Sequence, residues 1–142
     1  MNRSEKSMVI RCAQNPLLLP SDVKPSREDF VVEGVFNCAA TYYKDEVLLI
    51  CRVAESVRSD DPDCLSMPVI RDVDGKGVFD VKHLHKSEHP ELCFDDPRTV
   101  TRGGDANRGI ECLTSLSHLR LARSKDGINF VIDEKPMIMP DP

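Results

Sequence analysis

Short apolar runs that alternate with polar residues, separated by compact turn signals, constrain the fold of this chain more than any other feature. Their period is near two rather than the 3.6 of a helix, which is typical of half-buried strands. The pairs Lys44-Asp45, Asp74-Gly75 and Asp126-Gly127 favour the positive φ angles of tight antiparallel hairpins. The pattern predicts an all-β fold. Strands are expected at residues 8–13, 34–41, 47–54, 67–72, 77–81, 117–123 and 129–133.

Two long polar connectors interrupt this pattern, at residues 55–66 and 82–107. Connectors of that length in a compact β domain often carry ligand contacts, so both are candidate site segments. Only residues 25–29 suggest a short helical turn.

The charge balance excludes several classes of partner. The chain has 19 basic and 24 acidic residues and a net charge of −5, whereas nucleic-acid and anionic-membrane surfaces need clustered Lys and Arg. No apolar run approaches the roughly 20 residues that span a bilayer, and the N-terminus lacks the apolar core of a signal peptide. We therefore expect a cytoplasmic protein without nucleic-acid or membrane partners.

The six cysteines contain no Cys-x-x-C pair, so neither a zinc ribbon nor a thioredoxin-type site is indicated. Most of them lie beside apolar residues in strand-like runs. In a reducing compartment this pattern favours buried free thiols over disulfides.

Three stretches together resemble glycoside hydrolase family 130, the β-mannoside phosphorylases and related β-mannosidases. Residues 34–40 read Gly-Val-Phe-Asn-Cys-Ala-Ala, where family members usually show Gly-x-Phe-Asn-Pro-Ala-Ala. Residues 47–53, Val-Leu-Leu-Ile-Cys-Arg-Val, are similar to a family strand ending in Tyr-Arg-Val. Residues 117–130 contain a strand, a Ser-x-Asp-Gly turn and a second strand ending in Phe130, like the family's blade hairpin. The resemblance runs from about residue 15 to 142 and departs at Cys38 and Cys51.

The resemblance implies a five-bladed β-propeller, of which residues 1–142 would be the N-terminal part of a single domain. Blades run to roughly 40–50 residues, so the chain would hold about three blades and be incomplete. In the family, a Glu-Asp-Pro-Arg motif with the general-acid aspartate follows the hairpin and its two prolines. Here only Asp141-Pro142 follow Pro140, so the acid is expected beyond the C-terminus.

The implied reaction is inverting cleavage of a β-mannosidic bond in an oligosaccharide, with phosphate or water as the nucleophile. No cofactor is expected, and inorganic phosphate is a possible co-substrate. The sequence does not separate phosphorylase from hydrolase, nor does it identify the mannoside.

Asn37 and Arg52 are the first candidates for substrate binding. By resemblance they correspond to polar residues that hold the non-reducing-end mannose. Arg52 alternates with Leu48 and Ile50, which predicts an inward side chain whose donors suit sugar hydroxyls or phosphate. The alternative is an exposed strand-end charge at Arg52 and a turn residue at Asn37.

Asp96 and Arg98 are the second candidates. The segment Phe-Asp-Asp-Pro-Arg at 94–98 looks like the family's catalytic motif but lies before the 117–130 hairpin. A general acid needs a raised pKa, which repulsion from Asp95 would supply. Its position favours a substrate-binding or turn role, with Asp96 as a secondary candidate for the acid.

His118 and Arg120 are the third candidates, on the strand face opposite Leu119 and Leu121. They would contact phosphate or the leaving-group sugar, or else lie on a solvated outer face. A metal site at His83, His85 and His89 is not indicated, because Lys and Glu surround them and the resemblance implies no metal; we expect solvated loop histidines.

Two other functions stay open from the sequence. One is a non-catalytic carbohydrate-binding or assembly module, although aromatics are 5% of the chain and Trp is absent. The other is an inactive gene fragment. Three blades would leave sheet faces unburied, so we expect poor solubility or self-association into homo-oligomers.

Overall fold

The computed structural model describes residues 11–103 and 109–140 of the chain. Within that part the regular structure is almost entirely strand, with two short 3-10 helices at Pro20–Asp22 and Lys86–Glu88. The strands are β1 (Phe30–Tyr43), β2 (Glu46–Val57), β3 (Cys64–Val73), β4 (Lys76–His85), β5 (Leu92–Cys93), β6 (Thr99–Arg102), β7 (Ile110–Leu113), β8 (Ser115–Ser124) and β9 (Val131–Ile132). The predicted all-β fold is confirmed. No helix in this part of the chain is long and apolar enough to cross a membrane.

The strands form three antiparallel sheets. The largest has the order β1-β2-β8-β9, a second consists of β3 and β4, and a third has the order β5-β6-β7. The hairpins that join β1 to β2 and β3 to β4 turn at the predicted positions. Lys44 and Asp45 have φ of 47° and 63°, and Asp74 and Gly75 have φ of 53° and 77°, as two-residue hairpin loops require.

The four-stranded sheet has two faces of different character, set by the alternation of side chains along β2 and β8. We call the buried one the inner face; it carries Cys51, Val53 and Glu55 of β2 opposite Arg120 and His118 of β8. The other, the outer face, carries Arg52 and Leu119, which pair directly with each other.

The β3–β4 hairpin covers part of the inner face. The ring of Phe79 on β4 lies edge-on to Phe30 at 5.7 Å and to His118 at 6.2 Å between centroids. Phe30 and Met67 are fully buried in the same region. The core thus lies between the large sheet and this hairpin.

The two predicted connectors are wrong in extent. Residues 55–57 belong to β2 and residue 64 begins β3, which leaves 58–63 as the loop. Residues 82–103 contain the end of β4 together with β5 and β6, while 104–107 lie outside the described residues. Strands of two to four residues are too short to show a period, which is why the sequence did not reveal β5, β6 and β7.

Three smaller predictions also need correction. Of the strand expected at 8–13, residues 8–10 lie outside the described part and 11–13 form no strand. The strand expected at 129–133 shortens to β9. The helical turn expected at 25–29 is reduced to a single turn at residues 28–29, where Phe30 N donates to Arg27 O at 3.2 Å. A 3-10 helix forms earlier, at Pro20–Asp22; it begins at a proline, and Leu19 N donates to the Asp22 carboxylate at 2.8 Å.

Candidate functional site

The six residues expected to bind substrate lie in three separate places. Two lie on the β1–β2 hairpin, two lie just before β6, and two are buried on the inner face. In that order the pairs are Asn37 with Arg52, Asp96 with Arg98, and His118 with Arg120. The structure therefore does not bring them into one cluster.

On the outer face, Arg52 pairs across the hairpin with Phe36. Its guanidinium carbon lies 5.0 Å from the centroid of the Phe36 ring, a cation–π distance. Asn37 follows Phe36 at a break in the β1–β2 register and has φ of 52°, a left-handed backbone that Asn adopts more readily than most residues. Asn37 and Arg52 are thus positioned by one bulge and its partner strand.

The side chain of Arg52 is exposed, so its expected inward orientation is wrong. The alternation with Leu48 and Ile50 was sound, but it places all three on the outer face. Within the described residues the guanidinium makes no hydrogen bond or ion pair, so its donors remain open to a ligand.

A cavity of about 220 Å³ adjoins Arg52. Its lining is mostly apolar and includes Leu119 of β8 and the segment after β9, which bonds to the backbone of Leu119 through Ile138 O at 2.9 Å. An apolar cavity that has Arg52 among its lining residues suits a small polyol, because its C–H faces pack on carbon while its hydroxyls accept hydrogen bonds from Arg.

Asp96 and Arg98 form an exposed pair with each other. The Asp96 carboxylate accepts from Arg98 Nε at 3.0 Å, Nη2 at 2.8 Å and the backbone N–H at 2.8 Å. These side-chain and backbone bonds from Arg98 lower the pKa of Asp96 to about 2. A general acid needs the opposite shift, so this geometry disfavours Asp96 in that role. Asp96, but not Arg98, lines a different cavity of about 260 Å³ together with Leu65 and Phe94.

His118 and Arg120 share a strand face, as predicted, but their side chains are fully buried. The alternative of a solvated outer face is therefore wrong. His118 Nε2 lies 3.2 Å from Oε2 of Glu55 and 3.3 Å from Oγ of Ser26. Arg120 Nη2 donates to Ser26 Oγ at 2.9 Å and lies 3.6 Å from Glu55 Oε1. We call these four residues the inner cluster.

The inner cluster is closed by backbone groups. Arg120 Nη1 donates to the carbonyl oxygens of Lys24 at 2.7 Å and Glu134 at 3.0 Å, and Ser26 N donates to Glu55 Oε1 at 2.8 Å. Burial lowers the pKa of Arg120, an effect that Glu55 opposes. Burial acts to raise the pKa of Glu55, but the bonds from His118 and Ser26 bring it below its usual value. The cluster therefore pairs a buried carboxylate with a buried cation. Its contacts hold β2, β8 and the segments before β1 and after β9 together.

Glu55 and Ser26 were missed by sequence reasoning. Glu55 continues the alternation of Cys51 and Val53, so it occupies a core position on β2 although its side chain is charged. A carboxylate at an apolar position of a strand, with His and Arg at matching positions of another strand, is the signal that would have identified it.

The cysteines and histidines differ in part from what the sequence predicted. All six cysteines are free, and the expectation of buried thiols is confirmed only for Cys51. Cys38 is exposed, and the other four are partly exposed. His83 and His85 lie on β4 rather than in a loop, and His83 Nδ1 lies 2.9 Å from Ser66 Oγ. Among the described residues, no three His, Cys, Asp or Glu side chains are placed to hold a metal ion.

No protein-family model matches the chain. It is, however, 41% identical over 132 residues to a beta-1,2-mannobiose phosphorylase from Listeria innocua, a match that covers 93% of this chain and 36% of the relative. A solved structure of that Listeria innocua enzyme in complex with beta-1,2-mannobiose superposes with a TM-score of 0.78 at 40% identity, covering 92% of this chain and 36% of the other. The chain thus spans about a third of the length of the enzyme that it resembles.

Proposed function

We propose that this chain is the N-terminal part of a β-mannoside phosphorylase of glycoside hydrolase family 130, built as blades of a five-bladed propeller. The observation that carries the proposal is the 41% identity to a β-1,2-mannobiose phosphorylase across 93% of the chain. The exposed Arg52 and the apolar cavity beside it could both contact a sugar, which supports the proposal on chemical grounds. The three antiparallel sheets are consistent with blades.

The reaction we propose for the whole enzyme is phosphorolysis with inversion. Inorganic phosphate attacks the anomeric carbon of a β-mannoside while a carboxylic acid protonates the departing oxygen. The products are α-mannose 1-phosphate and the shortened sugar. Phosphate is favoured over water as the nucleophile because the relative is a phosphorylase.

Within this chain, Asn37 and Arg52 of the β1–β2 hairpin would hold the non-reducing-end mannose. Arg52 supplies charged donors for sugar hydroxyls, and the Asn37 amide supplies both a donor and an acceptor. Asp96 and Arg98 would contact a neighbouring sugar. His118 and Arg120 would act indirectly, by holding β8 in place so that Leu119 lines the cavity beside Arg52. We assign no general acid among the described residues, since the pKa of Asp96 is shifted the wrong way.

Calorimetric titration of the chain with β-1,2-mannobiose tests the binding role of Arg52. Arg52→Ala should weaken binding about tenfold or more, because a charge-assisted hydrogen bond contributes roughly 1.5–3 kcal/mol. Arg52→Lys should recover only part of the loss, since an ammonium lacks the planar fork. Arg123→Ala, an exposed arginine on the same sheet, is the matched control and should bind like the unchanged chain. Equal affinity in all four proteins would contradict the assignment.

Activity on mannosyl disaccharides with and without phosphate tests the reaction. Release of mannose 1-phosphate only when phosphate is present is the expected result for the enzyme. Release of free mannose without phosphate would favour a hydrolase. Sugar binding without turnover in a longer natural chain would favour the carbohydrate-binding module instead.

A further inference from the structure

Two cysteines face each other across the β1–β2 hairpin. The Cys38 thiol donates to Cys51 Sγ at 3.3 Å, and both cysteines are free. In the described part of the chain, no other two cysteine sulfurs lie within hydrogen-bonding distance. Asn37 directly precedes Cys38 on β1, and Arg52 directly follows Cys51 on β2.

The two thiols differ in access. Cys51 is fully buried on β2, whereas Cys38 is exposed and lies at the break in register between Phe36 and Ala39. Cys38 also borders a cavity of about 530 Å³. It is therefore reachable from solvent, and its strand is not held by regular ladder bonds at that point.

We propose that Cys38 and Cys51 are a redox-sensitive pair that forms a reversible disulfide when the chain meets a peroxide. A disulfide has an S–S distance of about 2.0 Å, so the sulfurs need to approach by about 1.3 Å from 3.3 Å. The irregular backbone at Cys38 is where that movement is easiest. Oxidation would join β1 to β2 beside Asn37 and so fix the spacing between Asn37 and Arg52.

The chemistry needs one peroxide for each disulfide. The Cys38 thiol first loses its proton to solvent. Its thiolate attacks one oxygen of hydrogen peroxide, the O–O bond breaks, and the leaving hydroxide takes up that proton, so the products are Cys38 sulfenic acid and water. Cys51 sulfur then attacks Cys38 Sγ, the S–O bond breaks, and the thiol proton of Cys51 leaves with the hydroxide as a second water. Two thiols lose two electrons in all, and the peroxide gains them. A dithiol reductant reverses the step by exchange.

The environment of Cys51 supports this order of events. Burial first, and then the hydrogen bond and charge of Cys38, raise the pKa of Cys51 to about 12. Peroxide reacts with thiolates that it can reach, so the exposed Cys38 is the thiol that is oxidised first. The same raised pKa leaves little Cys51 thiolate, so resolution of the sulfenic acid depends on the 3.3 Å proximity of the two sulfurs.

Peptide mapping of the full chain after peroxide treatment tests the proposal. Trypsin cuts after Lys44 and therefore separates Cys38 from Cys51, so the disulfide appears as a linked peptide pair that dithiothreitol dissolves. Cys93→Ser is the matched control and should keep the link. Cys38→Ser, at an exposed position, should abolish it without disturbing the core. In Cys51→Ala, Cys38 should remain a sulfenic acid that a dione probe traps.

Two outcomes would overturn the proposal. One is Cys38 recovered as sulfenic or sulfinic acid in the unchanged chain while Cys51 stays unlinked. The other is Cys38 linked to a different cysteine or to a second chain. Neither outcome depends on sugar binding, so the test is separate from that of the proposed function.

Discussion

At the scale of single residues, the Glu55 carboxylate stands out because it is fully buried next to a buried Arg120 and His118. Removing a charge from water costs several kcal/mol, and ion pairing offsets that cost only when the remaining donors and acceptors are satisfied. Glu55 meets the condition with bonds from Ser26 and His118. The inner cluster is therefore sensitive to the loss of any one member.

Replacement of Glu55 by Gln should destabilise the chain by about 3–5 kcal/mol at pH 7, because Arg120 would remain buried without its counter-charge. Urea unfolding at pH 7 measures the effect. Glu134→Gln, which removes the exposed ion pair with Lys24, is the control and should change the free energy of unfolding by less than about 1 kcal/mol.

The same carboxylate gives a pH dependence. The folded-state pKa of Glu55 is below its usual value, so its contribution to stability is complete above the unfolded pKa of about 4.3 and is lost as the pH falls through the folded pKa. Unfolding free energies measured from pH 7 down to pH 3 should therefore fall more steeply for the unchanged chain than for Glu55→Gln. Parallel curves would contradict this assignment.

The sequence predicted which residues share a face but not which face is buried. Arg52 aligns with Leu48 and Ile50, and His118 aligns with Arg120, as alternation requires. The buried face nevertheless carries the His and Arg. Glu55 binds His118 Nε2, and two backbone carbonyls accept from Arg120 Nη1, while His118 Nδ1 and Arg120 Nε have no hydrogen-bond partner among the described residues. Those partners come from distant segments, so no local pattern identifies them.

At the scale of elements, the bulge in β1 determines where Asn37 lies. Its φ of 52° suits Asn or Gly and disfavours β-branched residues. Asn37→Val should cost about 1–2 kcal/mol of stability, whereas Asn37→Gly should stay within about 1 kcal/mol of the unchanged chain. Thermal unfolding compares them, with Thr41→Val in the regular part of β1 as the control. Equal stability of the Asn37→Val and Asn37→Gly variants would contradict a left-handed backbone at position 37.

Hairpins were predictable where turn residues mark them, and short strands were not. Lys44-Asp45 and Asp74-Gly75 both form the expected turns. No local turn marks the pairing of β2 with β8, because 57 residues separate the end of β2 from the start of β8. Those residues include the strands of the two other sheets. That pairing depends on the complementary inner faces of both strands, which only the folded chain reveals.

At the scale of the whole molecule, apolar side chains remain exposed on several strands. Exposed members include Tyr42, Ile110, Leu113, Val131 and Ile138. β1, which is 14 residues long, has no partner on its outer edge among the described strands. Long free edges and apolar patches promote association between copies.

The chain on its own should therefore associate as its concentration rises. Sedimentation velocity between about 5 and 200 μM, within the micromolar-to-millimolar range in which exposed apolar surface and strand edges promote association, should show growth in mass. Thr41→Lys, which puts a charge on the free edge, should reduce it, while Arg58→Lys in the loop after β2 should leave it unchanged. A monodisperse monomer that unfolds in one cooperative transition would contradict this prediction.

The bonds of Arg120 also have a consequence for the order in which the protein is made. Its guanidinium joins Lys24, which is 96 residues earlier in the chain, to Glu134, which is 14 residues later. A growing chain that has completed the β1–β2 hairpin therefore carries the Glu55 carboxylate without its cation. Because an unpaired carboxylate stays in water rather than in a core, we expect the inner face of the unfinished sheet to stay hydrated. The sheet would then close over Glu55 only after Arg120 has been synthesised.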